Sequence, residues 1–144
     1  MKKIIIMLLA VLAFGSAEAQ FKVQETHTAP EVVWQNGFNH LKLCKTKGSG
    51  SPYYYISILS TNQFDDRIIL HLGGLGKAKA TLNQILNELF KEGEIYQLVD
   101  DRGEAFTGKC NPLGDFTIFK EGYAGAGHIM LYQFRKMQAA LEQE

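Results

Sequence analysis

The feature that most constrains this chain is a strand, a glycine-rich turn and a helix that follow one another between residues 67 and 93. The apolar run from Arg67 to Leu72 predicts a buried strand, and the run Gly73-Gly-Leu-Gly76 ends it. Apolar residues then recur at the spacing of one helix face; they are Ala78, Leu82, Ile85, Leu86, Leu89 and Phe90. Gly93 follows, where a helix often takes a left-handed residue. Such a helix buries its apolar face against a sheet, so the rest of the chain is expected to supply one.

Alternating or β-favouring segments on both sides of this helix predict strands. They cover residues 38–45, 53–60, 67–72, 94–99, 104–110 and 116–120, with a strand or turn near 31–35. Residues 125–131 fit either a last strand or a helix, and a C-terminal helix is predicted over 133–142. The sequence therefore predicts an α+β fold, in which an antiparallel β-meander sheet of about six to seven strands packs against a central helix and a C-terminal helix. This order suggests a duplicated unit, although the two halves share almost no aligned residues.

The first nineteen residues have the form of a cleavable secretory signal peptide. Lys2 and Lys3 precede an apolar run from Ile4 to Phe14, and Ala17-Glu-Ala19 has the small-residue pattern of a cleavage site. The apolar run is short for a membrane anchor, which needs about 20 residues. We therefore expect export to the periplasm or the extracellular medium, with residues 20–144 forming a single compact α+β domain and no transmembrane segment after cleavage.

The charge balance of the mature chain excludes some classes of partner. Removing Lys2, Lys3 and Glu18 leaves 13 basic and 14 acidic residues, a net charge of −1. Nucleic acids and anionic lipids favour clustered lysine and arginine, which a nearly neutral chain does not supply. We therefore expect no nucleic-acid partner. The oligomeric state stays open at this stage.

Two cysteines remain after cleavage, Cys44 and Cys110. An even cysteine count in an exported protein makes a Cys44–Cys110 disulfide a candidate. The alternative is two separately buried thiols, because free cysteine is among the most buried residue types. Their separation matches no metal-binding spacing.

The glycine-rich turn is also a candidate anion site. Gly74 and Gly76 precede a helix N-terminus, whose backbone N–H groups attract negative charge, and Lys77 stands beside them. Neither the phosphate-loop pattern nor the dinucleotide pattern is met, because Ala78 follows Lys77 and Lys79 occupies the third glycine position. The simpler interpretation is a sharp turn that begins a helix.

Histidines and acidic pairs are the remaining candidates for chemistry. The four histidines form no metal-binding motif; they are His27, His40, His71 and His128. A hydrogen-bonded structural role is expected for His71, because it lies within an apolar strand. The pairs Asp65-Asp66 and Asp100-Asp101 fall in predicted turns, where aspartates cap backbone N–H groups. The sequence thus predicts no catalytic residue, metal or cofactor.

Tyr53 and Tyr55 alternate with Tyr54 on a predicted strand, so the first two face the same side. Exposed tyrosine suits contact with a sugar ring or a peptide, whereas buried tyrosine is ordinary sheet packing. The candidate ligand-binding residues are thus Tyr53, Tyr55, Gly74, Gly76 and Lys77. The sequence favours a non-enzymatic exported domain that binds a protein, peptide or glycan. The alternatives are a small hydrolase with a His/Asp site, and an envelope subunit that assembles through the C-terminal Met/Phe stripe.

Overall fold

The chain folds into two four-stranded antiparallel sheets, each followed by a helix. A computed structural model describes residues 29–48, 50–91 and 93–144. Sheet A, the first, contains β1 (Glu31–Gln35), β2 (Leu41–Lys45), β3 (Tyr54–Ile58) and β4 (Ile68–Gly73), and α1 (Leu75–Glu88) follows it. Sheet B, the second, contains β5 (Ile95–Val99), β6 (Ala105–Cys110), β7 (Asp115–Phe119) and β8 (Gly127–Met130), and α2 (Leu131–Leu141) follows it.

The predicted α+β class is confirmed, but the sheet is divided where a single meander of six to seven strands was predicted. The reason is that β5 pairs with β6 along its whole length and does not pair with β4. A backbone hydrogen bond joins the turn after β5 to β4: the N–H of Asp101 donates to the carbonyl oxygen of His71 at 2.9 Å. Within the ambiguous residues 125–131, Gly127–Met130 form a strand, and the helix begins directly after it at Leu131. The order of a meander and a helix therefore occurs twice.

Alternation along the strands of sheet A gives it one apolar face and one mixed face. Leu43, Ile56 and Leu70 lie opposite one another on the apolar face and are buried. The other face, which we call the outer face of sheet A, carries Cys44, Tyr55 and His71 in the corresponding row. The strand period of two thus separates the core from a surface that bears polar and aromatic groups.

A single apolar core joins the two halves of the chain. The apolar face of α1 contributes Ala78, Leu82 and Ile85 to this core, and all three are buried as the helical period predicts. The stripe of α2 is buried in the same core, because Phe134, Met137 and Leu141 are at most 1% exposed. That stripe packs inside its own domain, so it is not available as an assembly surface.

The start of β8 fits closely against sheet A. The N–H of Thr61 donates to the carbonyl oxygen of Ala126 at 2.9 Å. Asp65 accepts hydrogen bonds from the N–H groups of Ala124 and Gly125 at 3.2 and 2.8 Å. Asp65 therefore caps backbone N–H groups in the other half of the chain, where a cap within its own turn was expected.

Gly125 has no room for a side chain, which gives a stability prediction. A Cβ there would lie 2.4 Å from the backbone nitrogen of Asn62, so Gly125→Ala is expected to lower the free energy of unfolding by about 1–3 kcal/mol. Gly76→Ala is the matched control: its Cβ would meet open space within α1, and it should raise stability by about 0.5–1 kcal/mol. Urea denaturation measures both, and a gain in stability for Gly125→Ala would contradict the close fit.

Cys44 and Cys110 are both buried, and no disulfide joins them in this structure. They lie in different sheets, on β2 and at the end of β6. Burial raises the pKa of the Cys44 thiol, which disfavours a reactive thiolate.

The signal peptide predicted for residues 1–19 lies outside the described residues. Within residues 29–48, 50–91 and 93–144, no helix combines the length and the apolar character needed to span a membrane.

Candidate functional site

The most organised polar cluster lies where the turn between β5 and β6 meets β4. His71 on β4 points its Nδ1 atom at Oδ2 of Asp100, 2.9 Å away. The side chains are largely enclosed, with 16% of His71 and 4% of Asp100 exposed. The same carboxylate oxygen accepts the backbone N–H of His71 at 3.1 Å. Asp100 therefore holds both the ring and the backbone of its partner.

Asp100 also organises its own turn. Its Oδ1 accepts the N–H groups of Arg102 and Glu104, each at 2.9 Å, while Gly103 takes a positive φ of 85°. The predicted turn at Asp100-Asp101 is thus a hairpin turn that ends in a left-handed glycine. Burial acts to raise the pKa of Asp100, but the hydrogen bonds from the His71 side chain and from the backbone outweigh it, and the net pKa is lowered. The carboxylate is thus kept charged.

The next residue, Asp101, connects the turn to two of the predicted site residues. Lys77 donates to Oδ1 of Asp101 at 2.5 Å, and the Tyr53 hydroxyl donates to Oδ2 at 2.9 Å. The hydrogen bond from Lys77 is the main cause that lowers the pKa of Asp101. The same contact raises the pKa of Lys77. Lys77 therefore forms an ion pair with a carboxylate of the protein. It is not left unpaired at the helix N-terminus to bind an anion.

Tyr53 and Tyr55 flank His71 on the outer face of sheet A, as their alternation predicts. Their ring centroids lie 6.1 and 6.4 Å from that of His71. The guanidinium carbon of Arg102 stands 5.0 Å from the centroid of Tyr53, a cation–π distance. Together these groups form a shallow concavity of about 280 Å³, which we call the tyrosine groove; it is lined by Thr46, Tyr53, Tyr55, Ile69, His71 and Arg102.

The glycine turn does not form the predicted anion cradle. Gly74 is the N-cap of α1 with extended backbone angles, and no side chain caps the helix there. Both Gly74 and Gly76 have open space where a Cβ would stand. The glycine that the fold requires is Gly73, with a φ of 96°, because a Cβ there would lie 3.0 Å from Lys77 and 3.2 Å from Asp101. The turn is therefore shaped to seat the Lys77–Asp101 pair.

A second histidine–carboxylate pair lies in sheet B. His128 Nδ1 is 2.8 Å from Oδ2 of Asp115, and the Thr117 hydroxyl approaches the same ring nitrogen at 3.3 Å. In a Ser-His-Asp arrangement the hydroxyl and the carboxylate bind opposite ring nitrogens. The Thr117 hydroxyl and Asp115 share one nitrogen here, so this pair does not have the geometry of an activated nucleophile.

His40 lines a concavity of about 330 Å³ together with His128, whereas His71 lies in the separate tyrosine groove. His27 is outside the described residues. The described histidines are thus distributed over two places, and each of the two paired rings has its own carboxylate.

An apolar crevice of about 270 Å³ opens on the other side of His71, between α1 and the neighbouring edges of the sheets. Leu70, Leu98 and Phe106 are among its walls, and His71 and Asp100 stand at its polar end. The crevice and the tyrosine groove share only His71 among their lining residues.

The sequence does not predict the contribution of Arg102, and it offers a His/Asp site only as an alternative, without pairing His71 with Asp100. It predicts only a turn for the run Asp100-Asp-Arg-Gly103. The one available signal was two adjacent carboxylates and an arginine within that turn, and nothing local indicates which strand the turn faces.

Comparisons with known proteins supply no assignment: no protein-family model matches the chain, and no curated protein or solved structure matches it significantly. The site itself is an aromatic and cationic groove at the junction of two sheets.

Proposed function

We propose that this protein is an exported, non-enzymatic binding domain that takes a protein, peptide or glycan ligand in the tyrosine groove. The observation that carries the proposal is the fixed placement of Tyr53 and Arg102, ring against guanidinium, beside Tyr55 and His71. Tyrosine and arginine are the residues that most often dominate binding energy at interfaces. Export is supported by the signal-peptide pattern of residues 1–19.

The groove is held in place before any ligand arrives. The Tyr53 hydroxyl is bonded to Asp101, and Asp101 is held by Lys77. The turn that carries Arg102 is fixed by two bonds to Asp100. Groups that are already ordered lose less conformational entropy on binding, which favours affinity.

This proposal is tested by immobilising the purified protein and capturing partners from its native envelope and medium. We expect wild-type protein to retain a defined protein or glycan, identified by mass spectrometry. Tyr53→Ala should weaken retention about tenfold or more, the loss of about 1.4 kcal/mol that defines a substantial interface contribution. Tyr132→Ala is the matched control, because this tyrosine is 58% exposed on α2. A partner retained equally by both variants, or no partner at all, contradicts the proposal.

A small extracytoplasmic hydrolase is the second candidate function, favoured by the His71–Asp100 contact at Nδ1. A carboxylate at one ring nitrogen leaves the other free to act as a general base toward water. Hydrolysis of a panel of esters, phosphodiesters and glycosides that is lost in His71→Gln would support this function in place of the first.

A further inference from the structure

The outer face of sheet A carries an excess of positive charge. Its rows place Lys42 beside Ser57 and Ile69, and Cys44 beside Tyr55 and His71. Arg67 adjoins the first row through its bond to Ser57. The rows and the adjoining Arg67 thus contain two cations and no carboxylate.

Arg67 keeps its charge uncompensated although it is well bonded. Its Nε donates to the Ser57 hydroxyl at 2.6 Å, and its two terminal nitrogens donate to the carbonyl oxygens of Ser57, His40 and Asn39 at 3.1, 3.2 and 3.3 Å. All these acceptors are neutral. The guanidinium is therefore immobilised on the sheet with its full positive charge.

Arg102 adds a third cation, and two acidic residues beside it are already occupied. Asp101 is paired with Lys77, and Glu104 with Lys120. Counting those pairs as neutral leaves Arg102, Lys42 and Arg67 against Asp100 and the exposed Asp66, which directly precedes Arg67. The face and its rim thus carry a local charge of +1 in a chain whose formal net charge is +0.

The cations are spread along the strands and not gathered at one point. The row of Lys42 and Ser57 lies four residues along β3 from Tyr53, roughly 14 Å at the usual rise per residue. An extended peptide has the same rise, so carboxylates four residues apart and on one side of it would match this spacing. A compact anion such as phosphate would reach only one end.

We propose, on the basis of the binding function proposed above, that the ligand of this face is an acidic protein segment. It binds in extended form, and its carboxylates reach Lys42 and Arg102. Arg102 covers one face of the Tyr53 ring at 5.0 Å. That arrangement leaves less open ring for stacking a sugar than for contacts to peptide groups along the edge of the ring, which favours a peptide over a glycan.

The test uses fluorescence anisotropy of a labelled poly-L-glutamate decapeptide with the purified protein. We expect saturable binding that weakens as salt is added. Arg102→Glu and Lys42→Glu should each reduce affinity about tenfold or more, because like charges then meet across the contact. Arg102→Lys keeps the charge without the planar stacking on Tyr53, so its affinity should lie between wild type and Arg102→Glu.

Lys136→Glu is the matched control, since Lys136 is an exposed cation on α2 away from this face. Absence of decapeptide binding, or an equal loss in Lys136→Glu, overturns the proposal. Tighter binding of polygalacturonate through Lys42 and Arg102 also overturns it, in favour of an acidic glycan. If decapeptide binding fails while native partner capture still depends on Tyr53, only this inference falls and the proposed function stands.

Discussion

Replacing Phe134 by alanine will lower the free energy of unfolding by about 3–5 kcal/mol, the usual loss for deleting a buried aromatic side chain. The ring is 1% exposed and stands at the centre of an aromatic cluster. Its centroid lies 5.5 Å from that of Phe90 and 6.2 Å from that of Phe116. It thereby joins α2 to sheet B and to the segment after α1, and its removal leaves a cavity that all three border.

Urea denaturation followed by circular dichroism measures this loss. Tyr132→Ala provides the control: it removes another aromatic ring from the same helix, but from an exposed position, and should change stability by no more than about 0.5 kcal/mol. Similar losses for both variants would contradict the larger contribution assigned to burial of Phe134 in the core, since alanine favours the helix at both positions.

The elements that sequence predicts well here are those whose pattern is local. The α1 stripe follows the helical period, so Ala78, Leu82 and Ile85 are buried as expected. The helix begins at Leu75, before the first apolar position of the pattern at Ala78, because Leu75 and Gly76 carry no periodic signal. Tyr53, directly before β3, and Tyr55 within it flank His71, as the alternation predicts.

No local sequence pattern predicts the division into two sheets. A meander predicts which consecutive strands pair, but whether the strand after α1 pairs with the strand before it depends on where α1 ends in the fold. Because β5 bonds to β6, the backbone bond between β4 and sheet B in the described part of the chain comes from the turn between β5 and β6. The number of sheets is therefore a tertiary property.

The candidate site cannot be predicted from the sequence for the same reason: its contacts join residues far apart in the chain. Asp101 contacts Lys77 across 24 positions, and Asp100 contacts His71 across 29. Both carboxylates were interpreted as turn caps, and Asp100 does cap its turn. What sequence spacing does not reveal is that the other oxygen of the same carboxylate binds the edge of sheet A.

Removing the Asp100 side chain will produce the other large effect. Asp100→Ala leaves the N–H groups of Arg102 and Glu104 and the ring and N–H of His71 without their acceptor. Loss of one partner from a buried pair costs about 3–5 kcal/mol. Asp100→Asn retains an acceptor oxygen and the shape but not the charge, so a smaller loss of about 1.5–3 kcal/mol is expected.

The charge contribution also predicts a pH dependence. The pKa of Asp100 is lowered in the folded protein, so folding favours the ionised form. Its contribution is fully present above the unfolded pKa of about 3.9, and it is lost as pH falls through the lower folded pKa. The stability difference between wild type and Asp100→Asn should therefore be constant near neutrality and shrink below about pH 4.

Asp66→Asn is the matched control for this series, because Asp66 belongs to the other acidic pair and is exposed. It should stay within about 0.5 kcal/mol of wild type at every pH. A difference between wild type and Asp100→Asn that does not shrink in acid would show that the hydrogen-bonding shape of the side chain, and not its charge, fixes the turn. In that case the turn that carries Arg102 would be held by Asp100 as a hydrogen-bond acceptor, whatever its charge.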